Sequence, residues 1–430
     1  MTAYDLDTLV DRTSMGSSKW TAMGEAARTA DVDLERCRDT AGAPIAPFSV
    51  ADLDLANAPE IIDALQGALA RGLVLGYTVP TDHYLGAVTG WMRRRHGWDV
   101  DPDWIRVTPG VIPAFTWAIR ELTAPGDGII VQTPAYYPMY RSITSSGRRI
   151  VRNPLVESAG RFRLDLDELE QLAKDPTTTM LLLCSPHNPT GRVWERWELE
   201  EIARIVLEND LLLVSDEIHA DLVQEGHEHL VAPTIDPRLA ERTLVLTSPS
   251  KSFNLAGLGI ANAIIPDPGL RARLTEARDD LGFDNPNVLG AVACEAAYTR
   301  AEPWLDAVND LVARNHRRVR EIFAERLPAV RVCDLEGTYL QWIDLRALGL
   351  RHEELTRLHA REAMLYCDEG AVFGPEGEGF ARLVIATPTP VLEAALVRLC
   401  SAYERALAER PGAQRQGAQK RSAMASSRAL

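Results

Sequence analysis

The stretch MLLLCSPHNPTG, residues 180–191, decides the fold of this chain. Its first five residues are apolar, and polar and turn-forming residues follow at once. A short run that is apolar on both faces is typical of a strand buried in a parallel sheet. Three other runs share this form: GIIVQ (128–132), LLLVS (211–215) and TLVLT (243–247). We therefore predict four neighbouring parallel strands.

Helical patterns lie between these runs. WELEEIARIVLEND (197–210), for example, has apolar residues at Leu199, Ile202, Ile205 and Val206. Strands that alternate with such patterns predict an α/β domain with helices on both faces of the sheet. EGTYLQWIDL (336–345) and FARLVIAT (380–387) predict strands of a second, smaller sheet.

These patterns predict two domains and two terminal segments. We expect a large domain at 46–288 and a small C-terminal domain at 289–408, with residues 1–45 packing on the small domain. The tail, 409–430, has almost no large apolar residues and is expected to be disordered.

Composition excludes several classes of partner. The formal net charge is −15 at pH 7, which argues against nucleic acid or an anionic membrane surface. No apolar run approaches the roughly 18 residues of a membrane helix, and the acidic N-terminus does not resemble a secretory signal. The six cysteines form no CxxC pair, so we expect free thiols in a reducing cytoplasm and no metal site.

The four predicted strands all end in polar loops. The loops are TPAYYP (133–138), SPHNPTG (185–191), DEIH (216–219) and SPSK (248–251). In α/β sheets ligands bind beyond the carboxyl ends of the strands, so these loops are expected to converge on one site. Taken singly, each loop is also explained as an ordinary turn.

Lys251 in the last loop suggests the chemistry. The chain has only four lysines among 46 Lys+Arg residues. Arginine stays protonated in proteins, whereas a desolvated lysine can lose its proton and attack a carbonyl. Pyridoxal phosphate offers such a carbonyl. It also requires a carboxylate at its pyridinium nitrogen, donors at its phenolate oxygen, and amides and hydroxyls at its phosphate.

The loops supply candidates for each requirement. They are Asp216 for the pyridinium nitrogen, Asn188 and His219 for the phenolate oxygen, and for the phosphate the amides of Val111 and Ile112 with the hydroxyls of Ser248 and Ser250. Bland readings stay open for some of them. The serines are common turn or cap residues, the histidine suits a structural role, and the aspartate suits a helix N-cap.

The order of motifs resembles a known family. SPHNPTGRVW, SDEIHADL, SKSFNLAGL and the opening YDLDTLVDR…SSKW are similar to fold-type I pyridoxal-phosphate enzymes of the aspartate aminotransferase superfamily. Within that superfamily they resemble the MalY/PatB-type cystathionine β-lyases, also called cysteine-S-conjugate β-lyases. The resemblance implies an α/β fold with a large domain built on a mainly parallel seven-stranded sheet, and a smaller α/β C-terminal domain.

The resemblance also implies roles. Lys251 would bind the cofactor and move the substrate α-proton, while Asp216 would pair with the pyridinium nitrogen. Tyr136 would stack on the ring, and Arg382 would clamp the substrate carboxylate with help from Asn188. Tyr77 would contact the cofactor phosphate of the neighbouring subunit and count among the catalytic residues, which implies a homodimer with shared sites.

One substrate-side motif departs from the family pattern. The chain reads PFSVADLDLA (47–56) where the branch usually has PMWVADMDF, so Ser49 replaces a tryptophan. This implies a roomier substrate pocket. We predict a β-lyase that splits cystathionine or another S-substituted cysteine into thiol, pyruvate and ammonia. The alternatives are a class I/II aminotransferase, a decarboxylating or oxidative enzyme on a bulky S-cysteine conjugate, and a regulator that only binds the cofactor.

Overall fold

The computed structural model describes residues 4–34, 37 and 45–409 of the 430-residue chain. The predicted disordered tail therefore lies outside the described residues, except for its first residue. The helices are α1 Ser18–Thr29, α2 Pro59–Ala70, α3 Asp82–His96, α4 Val111–Leu122, α5 Tyr137–Ser145, α6 Leu166–Ala173, α7 Arg196–Glu208, α8 Pro249–Ser252, α9 Pro268–Asp280, α10 Val288–Arg300, α11 Glu302–Arg326, α12 His352–Arg357 and α13 Thr389–Ala408.

The strands form one large and two small sheets. They are β1 Ile105–Thr108, β2 Gly128–Thr133, β3 Arg149–Pro154, β4 Val156–Ser158, β5 Arg161–Arg163, β6 Thr178–Cys184, β7 Leu212–Asp216, β8 Thr243–Thr247, β9 Ala261–Ile264, β10 Arg331–Val332, β11 Leu340–Asp344, β12 Asp368–Glu369 and β13 Phe380–Val384. The large sheet has the order β1-β9-β8-β7-β6-β2-β3. Only β9 runs antiparallel to its neighbours, so the predicted mainly parallel seven-stranded sheet is confirmed.

Alternating side chains of the central strands explain why both faces of this sheet are apolar. Met180 and Leu182 of β6 pack in the same cluster as α4 and α9. Leu181 and Leu183 point the other way and pack with α7. Each strand therefore buries both of its faces, as the continuous apolar run at 180–184 predicted.

The second sheet is four-stranded and antiparallel, in the order β10-β11-β13-β12. Its register pairs Leu340 with Val384 and Asp344 with Phe380. The two strands predicted at 336–345 and 380–387 are thus its central pair. Both are shorter than predicted, because the residues before β11 form a loop against the large sheet and those after β13 lead into α13.

The N-terminal segment is fixed by polar contacts as well as by packing. Trp20 and Met23 of α1 pack against Tyr366, which precedes β12. The Lys19 amine lies 2.7 Å from a carboxylate oxygen of Asp54, and the Trp20 indole N–H donates to the other Asp54 oxygen at 2.9 Å. Lys19 and Asp54 are both almost fully buried. The segment therefore holds the chain around residues 50–54 in place.

A buried ion network joins the loop after β6 to the loop before β11. The Arg192 guanidinium donates to the carboxylates of Glu198 and Glu336, and all three side chains are buried. Gly191 allows this approach, since it has a φ of +73° and a Cβ there would lie 2.8 Å from Leu335. The end of the SPHNPTG motif thus acts as a clamp between the two sheets.

We expect Arg192→Ala to lower the free energy of unfolding by about 3–5 kcal/mol, because it leaves two buried carboxylates without their cation. Urea denaturation measures this. Arg204→Ala is the matched control, since Arg204 pairs with three carboxylates on the surface. Exposed pairs stabilise little, so the control should unfold almost like the native protein. Equal losses in both variants would contradict the assigned role.

Candidate active site

The carboxyl ends of β2, β6, β7 and β8 meet at a cavity of about 320 Å³. Most residues predicted from the sequence line it. These are Val111, Ile112, Tyr136, Asn188, Asp216, His219, Ser248, Ser250, Lys251 and Arg382. The convergence follows from the parallel order of the strands, which places their carboxyl ends side by side.

Lys251 lies on the single turn of α8, directly after β8. The Ser248 hydroxyl caps this turn by accepting from the Ser250 N–H at 3.1 Å. The Lys251 amine donates to the carbonyl oxygen of Ala51 at 2.6 Å. Burial lowers its pKa to about 8, and the positive charge of Arg382 acts in the same direction. A substantial neutral fraction is therefore present near neutral pH.

Asp216 ends β7 and is buried in the cavity floor. Its Oδ1 accepts from the Ile218 N–H at 3.2 Å, so it caps a turn rather than a helix. Burial raises its pKa to about 7, although this bond and the Lys251 charge oppose the shift. A carboxylate in such a position gains from any cationic group that binds beside it.

His219 and Asn188 present polar groups on the adjacent wall. His219 Nδ1 is buried and has no hydrogen-bond partner among the described residues. Burial, Lys251 and Arg382 lower the pKa of His219 well below its usual value, so its imidazole is neutral. Its ring meets Tyr339 edge-on at 6.0 Å. The Asn188 oxygen accepts from Arg382 Nη1 at 2.8 Å, which leaves its amide NH2 as the donor end.

Arg382 lies in the middle of β13 and is buried. Besides Asn188, it bonds Asp368, whose Oδ2 accepts from Nη2 at 2.5 Å. The guanidinium carbon lies 4.7 Å from the ring centre of Phe373. Within the described chain, its buried Nε has no hydrogen-bond partner. Arg382 is therefore rigidly held with donors left for a ligand.

The opposite end of the cavity suits an anion. α4 begins at Val111, directly after Gly110, and the first amides of a helix have no partner within that helix. Ser250 Oγ lies 2.9 Å from Ser248 Oγ, and the Ser248 hydroxyl donates to the carbonyl of Ile260 at 2.7 Å. Ser248 is thus a helix cap, as its structural interpretation predicted, and its side chain also borders the cavity.

Two predicted site residues are not among those that line the cavity. Ser49 is buried beside it, while the next residues, Val50 and Ala51, form the wall. The Tyr77 side chain is 96% exposed and lies in the segment between α2 and α3. Val74, Leu75 and Val79 of the same segment are also exposed.

Two contributors to the site were not predicted from the sequence. Ala51 acts through its backbone carbonyl, which also accepts from the Tyr339 hydroxyl at 2.9 Å. A backbone group leaves no signal in residue type. Asp368 did leave one, because CDEG (367–370) places acidic residues between an apolar stretch and a turn.

Near β12, the described residues include one cluster of side chains of the kinds that bind metal ions. Ligand atoms of His359, Cys367 and Glu369 lie within 4.8 Å of one another. Both imidazole nitrogens of His359 are already bonded, Nδ1 to Glu369 at 2.6 Å and Nε2 to the Tyr403 hydroxyl. These hydrogen bonds account for the arrangement without an ion.

Comparisons with known proteins identify the family of this chain. The family model for aminotransferase class I and II matches residues 44–399. The chain belongs to this family. Cystathionine beta-lyase PatB of Bacillus subtilis is 37% identical over 83% of this chain and 92% of its own length. Protein MalY of Escherichia coli is 32% identical over 93% of this chain and 98% of its own.

A solved structure extends the similarity to the fold. Cystalysin from Treponema denticola, whose crystal structure contains pyridoxal 5′-phosphate, superposes with a TM-score of 0.90 at 42% identity. The match covers 94% of this chain and all of cystalysin. The fold is therefore that of fold-type I pyridoxal-phosphate enzymes.

The raised pKa of Asp216 gives a stability prediction. The unfolded chain ionises this group near pH 3.8, the folded cofactor-free protein near 7. The folded state therefore pays the full cost of a buried charge above pH 7, and the cost disappears as the pH falls below about 4. We expect Asp216→Asn to increase the free energy of unfolding of the cofactor-free protein at pH 8 by a few kcal/mol and therefore to raise its melting temperature.

Asp344→Asn is the control for this measurement. Arg346 holds the pKa of Asp344 below its usual value, so the charged form of Asp344 stabilises the fold. That variant should melt at a lower temperature than the native protein at pH 8. If Asp216→Asn also lowered the melting temperature, the assigned cost of its buried charge would be wrong.

Proposed function

We propose that the chain is a pyridoxal-phosphate-dependent C–S β-lyase acting on cystathionine or another S-substituted L-cysteine. The products are a thiol, pyruvate and ammonia, with one water consumed. The observation that carries the proposal is the Lys251 amine, buried with a lowered pKa in a cavity that also holds Asp216 and Arg382. The similarity to cystathionine beta-lyase PatB of Bacillus subtilis supports this reaction class.

The residues present fit the cofactor. The orphaned His219 Nδ1 and the unpaired amide end of Asn188 suit its phenolate oxygen. Asp216 suits a cationic ring nitrogen, because that partner relieves the cost of its buried charge. The amides of Val111 and Ile112 with the hydroxyls of Ser248 and Ser250 suit the phosphate. When bound, pyridoxal phosphate supplies an electrophilic carbonyl carbon and a ring that accepts electrons.

The protein's own groups then have distinct tasks. Arg382 binds the substrate α-carboxylate and fixes the orientation of the α-carbon. Lys251, as a neutral amine, removes the α-proton and holds it. Asp216 would pair with the protonated ring nitrogen of the bound cofactor, and Tyr136, which is partly buried in the cavity wall, would cover the ring and limit access of water.

We propose further that the enzyme is a homodimer whose sites are shared. The exposed apolar segment with Val74, Leu75, Tyr77 and Val79 is typical of a surface that another subunit covers. In that arrangement the Tyr77 hydroxyl would bind the cofactor phosphate of the neighbouring site. We also propose the domain boundaries predicted from the sequence, with a large domain at 46–288, a small domain at 289–408 and an N-terminal segment at 1–45.

We also propose that the protein is located in the cytoplasm. Each of the six cysteines is unpaired, four of them buried, which fits a reducing compartment. Along the described chain, no helix is both long and apolar enough to cross a membrane.

The aminotransferase remains the second candidate, because the matching family model is that of aminotransferases. Assays with L-cystathionine and S-substituted cysteines, with and without an added 2-oxo acid, separate the two. We expect pyruvate and free thiol without the oxo acid. Strict dependence on the oxo acid would instead establish transamination.

Lys251→Ala is expected to lose visible cofactor absorbance and at least about a thousandfold in kcat, since it removes both the attachment point and the base. Lys174→Ala is the control, because that lysine pairs with Glu170 on the surface. A colourless native protein that stays colourless with added cofactor would refute the enzymatic proposal altogether.

Mixed dimers test the shared site. We expect Tyr77→Phe homodimers to bind the cofactor about tenfold more weakly, through loss of one bond to the phosphate. The test hybrid combines one Tyr77→Phe protomer with one Lys251→Ala protomer. The site that keeps Lys251 then receives the native Tyr77 of the other protomer and should bind the cofactor with native affinity. In the control hybrid the Lys251→Ala protomer also carries Tyr77→Phe, so the remaining site should bind the cofactor weakly. Equal affinity in the two hybrids would exclude sharing.

A further inference from the structure

The cavity wall carries a carboxylate that the proposed reaction does not use. Asp368 of β12 stands directly opposite Arg382 of β13 in the antiparallel register. Its Oδ2 accepts from Arg382 Nη2 at 2.5 Å, and the residue lines the cavity. The Asp368 side chain is 20% exposed, whereas that of Arg382 is 3% exposed. Part of the carboxylate therefore faces the space where a substrate binds.

The orientation of Asp368 is built into its strand. The flanking residues Cys367 and Glu369 both contact His359, at 3.7 Å and 2.6 Å from its Nδ1. Side chains alternate along a strand, so anchoring these two on one side directs Asp368 to the other. That other side is the cavity.

Charge accounting shows why this carboxylate matters. Among the described lining residues, the acidic and basic side chains are those of Lys251, Asp216, His219, Arg382 and Asp368, and burial leaves the His219 imidazole neutral. With the cofactor bound, Lys251 and Asp216 are committed to it. With the substrate bound, the Arg382 guanidinium is shared between Asp368 and the α-carboxylate. The charge of Asp368 is then left without a full partner in a site shielded from water, where charges interact strongly.

We propose that Asp368 is a specificity-determining residue that selects leaving groups carrying an ammonium group and rejects those carrying only a carboxylate. The preferred substrate class is an S-(aminoalkyl)-cysteine, including conjugates in which the amine belongs to an amino acid. The inference rests on the proposed function and narrows its substrate. Elimination is unchanged: the C–S bond breaks, its electron pair leaves with sulfur, and the thiol takes a proton.

Binding to the holoenzyme tests this selection without any bond cleavage. L-Lysine, L-norleucine and L-2-aminoadipate have similar lengths but end in an ammonium, a methyl and a carboxylate group. Their dissociation constants follow from changes in cofactor absorbance. In the native protein we expect 2-aminoadipate to bind at least about tenfold more weakly than lysine, with norleucine between them.

Variants assign the selection to Asp368. Asp368→Asn should reduce the ratio of the aminoadipate and lysine dissociation constants at least about fivefold, and Asp368→Glu should preserve most of it. Glu376→Gln is the matched control, because Glu376 pairs with Arg152 outside the cavity lining and its loss should leave the ratio unchanged. An unchanged ratio in Asp368→Asn, or a native ratio below one, overturns the proposal. If Asp368→Asn does not fold, Asp368→Ser gives the same comparison.

Turnover separates this proposal from the lyase proposal. Pyruvate release is measured with S-(2-aminoethyl)-L-cysteine, S-propyl-L-cysteine and S-carboxymethyl-L-cysteine. We expect kcat/KM to fall in that order in the native enzyme and to converge in Asp368→Asn. If none of the three releases pyruvate while the binding ratio holds, the lyase reaction is wrong and the charge selection stands. If all three react equally well, the selection is wrong and the lyase reaction stands.

Discussion

Lys251 and Asp216 share a cavity that favours the neutral form of each. Burial lowers the pKa of the lysine to about 8 and raises that of the aspartate to about 7, so both charges are costly near neutral pH. The two shifts share their largest cause, the removal of water at the meeting point of the parallel strands. A ligand with a carbonyl for the amine and a cationic nitrogen for the carboxylate relieves both costs at once. Binding of such a ligand should therefore increase the free energy of unfolding of the protein.

The stability of the wall around this pair comes from elsewhere in the chain. The carbonyl of Ala51 receives both the Lys251 amine and the Tyr339 hydroxyl. Ala51 keeps its place because Asp54, three residues later, is held by Lys19 and Trp20 of the first helix. The N-terminal segment thus positions the hydrogen-bond acceptor of the Lys251 amine through two contacts in series.

Local sequence patterns predicted the parts of the fold that local physics determines. The runs at 128–132, 180–184, 211–215 and 243–247 became strands whose bounds lie within two residues of the predicted ones, because continuous burial requires continuous apolar sequence. Their loops met because parallel strands align their ends. The Ala51 carbonyl and the pairing of Asp368 with Arg382 join residues distant in sequence, and their residue types gave no sign of the partner. Tyr77 came only from the family resemblance, and it is exposed in the structure.

The scarcity of lysine is informative only when combined with its partners. Of the described lysines, Lys174 pairs on the surface with Glu170, and Lys19 is buried but pairs with Asp54. Lys251 is also buried, yet its one described hydrogen bond goes to a neutral carbonyl. A nearby guanidinium lowers the pKa of a buried amine, and Arg382 adds in this way to the effect of burial at Lys251. Burial alone therefore does not distinguish Lys251 from Lys19; the difference is that no carboxylate of the described residues lies at hydrogen-bonding distance from the Lys251 amine.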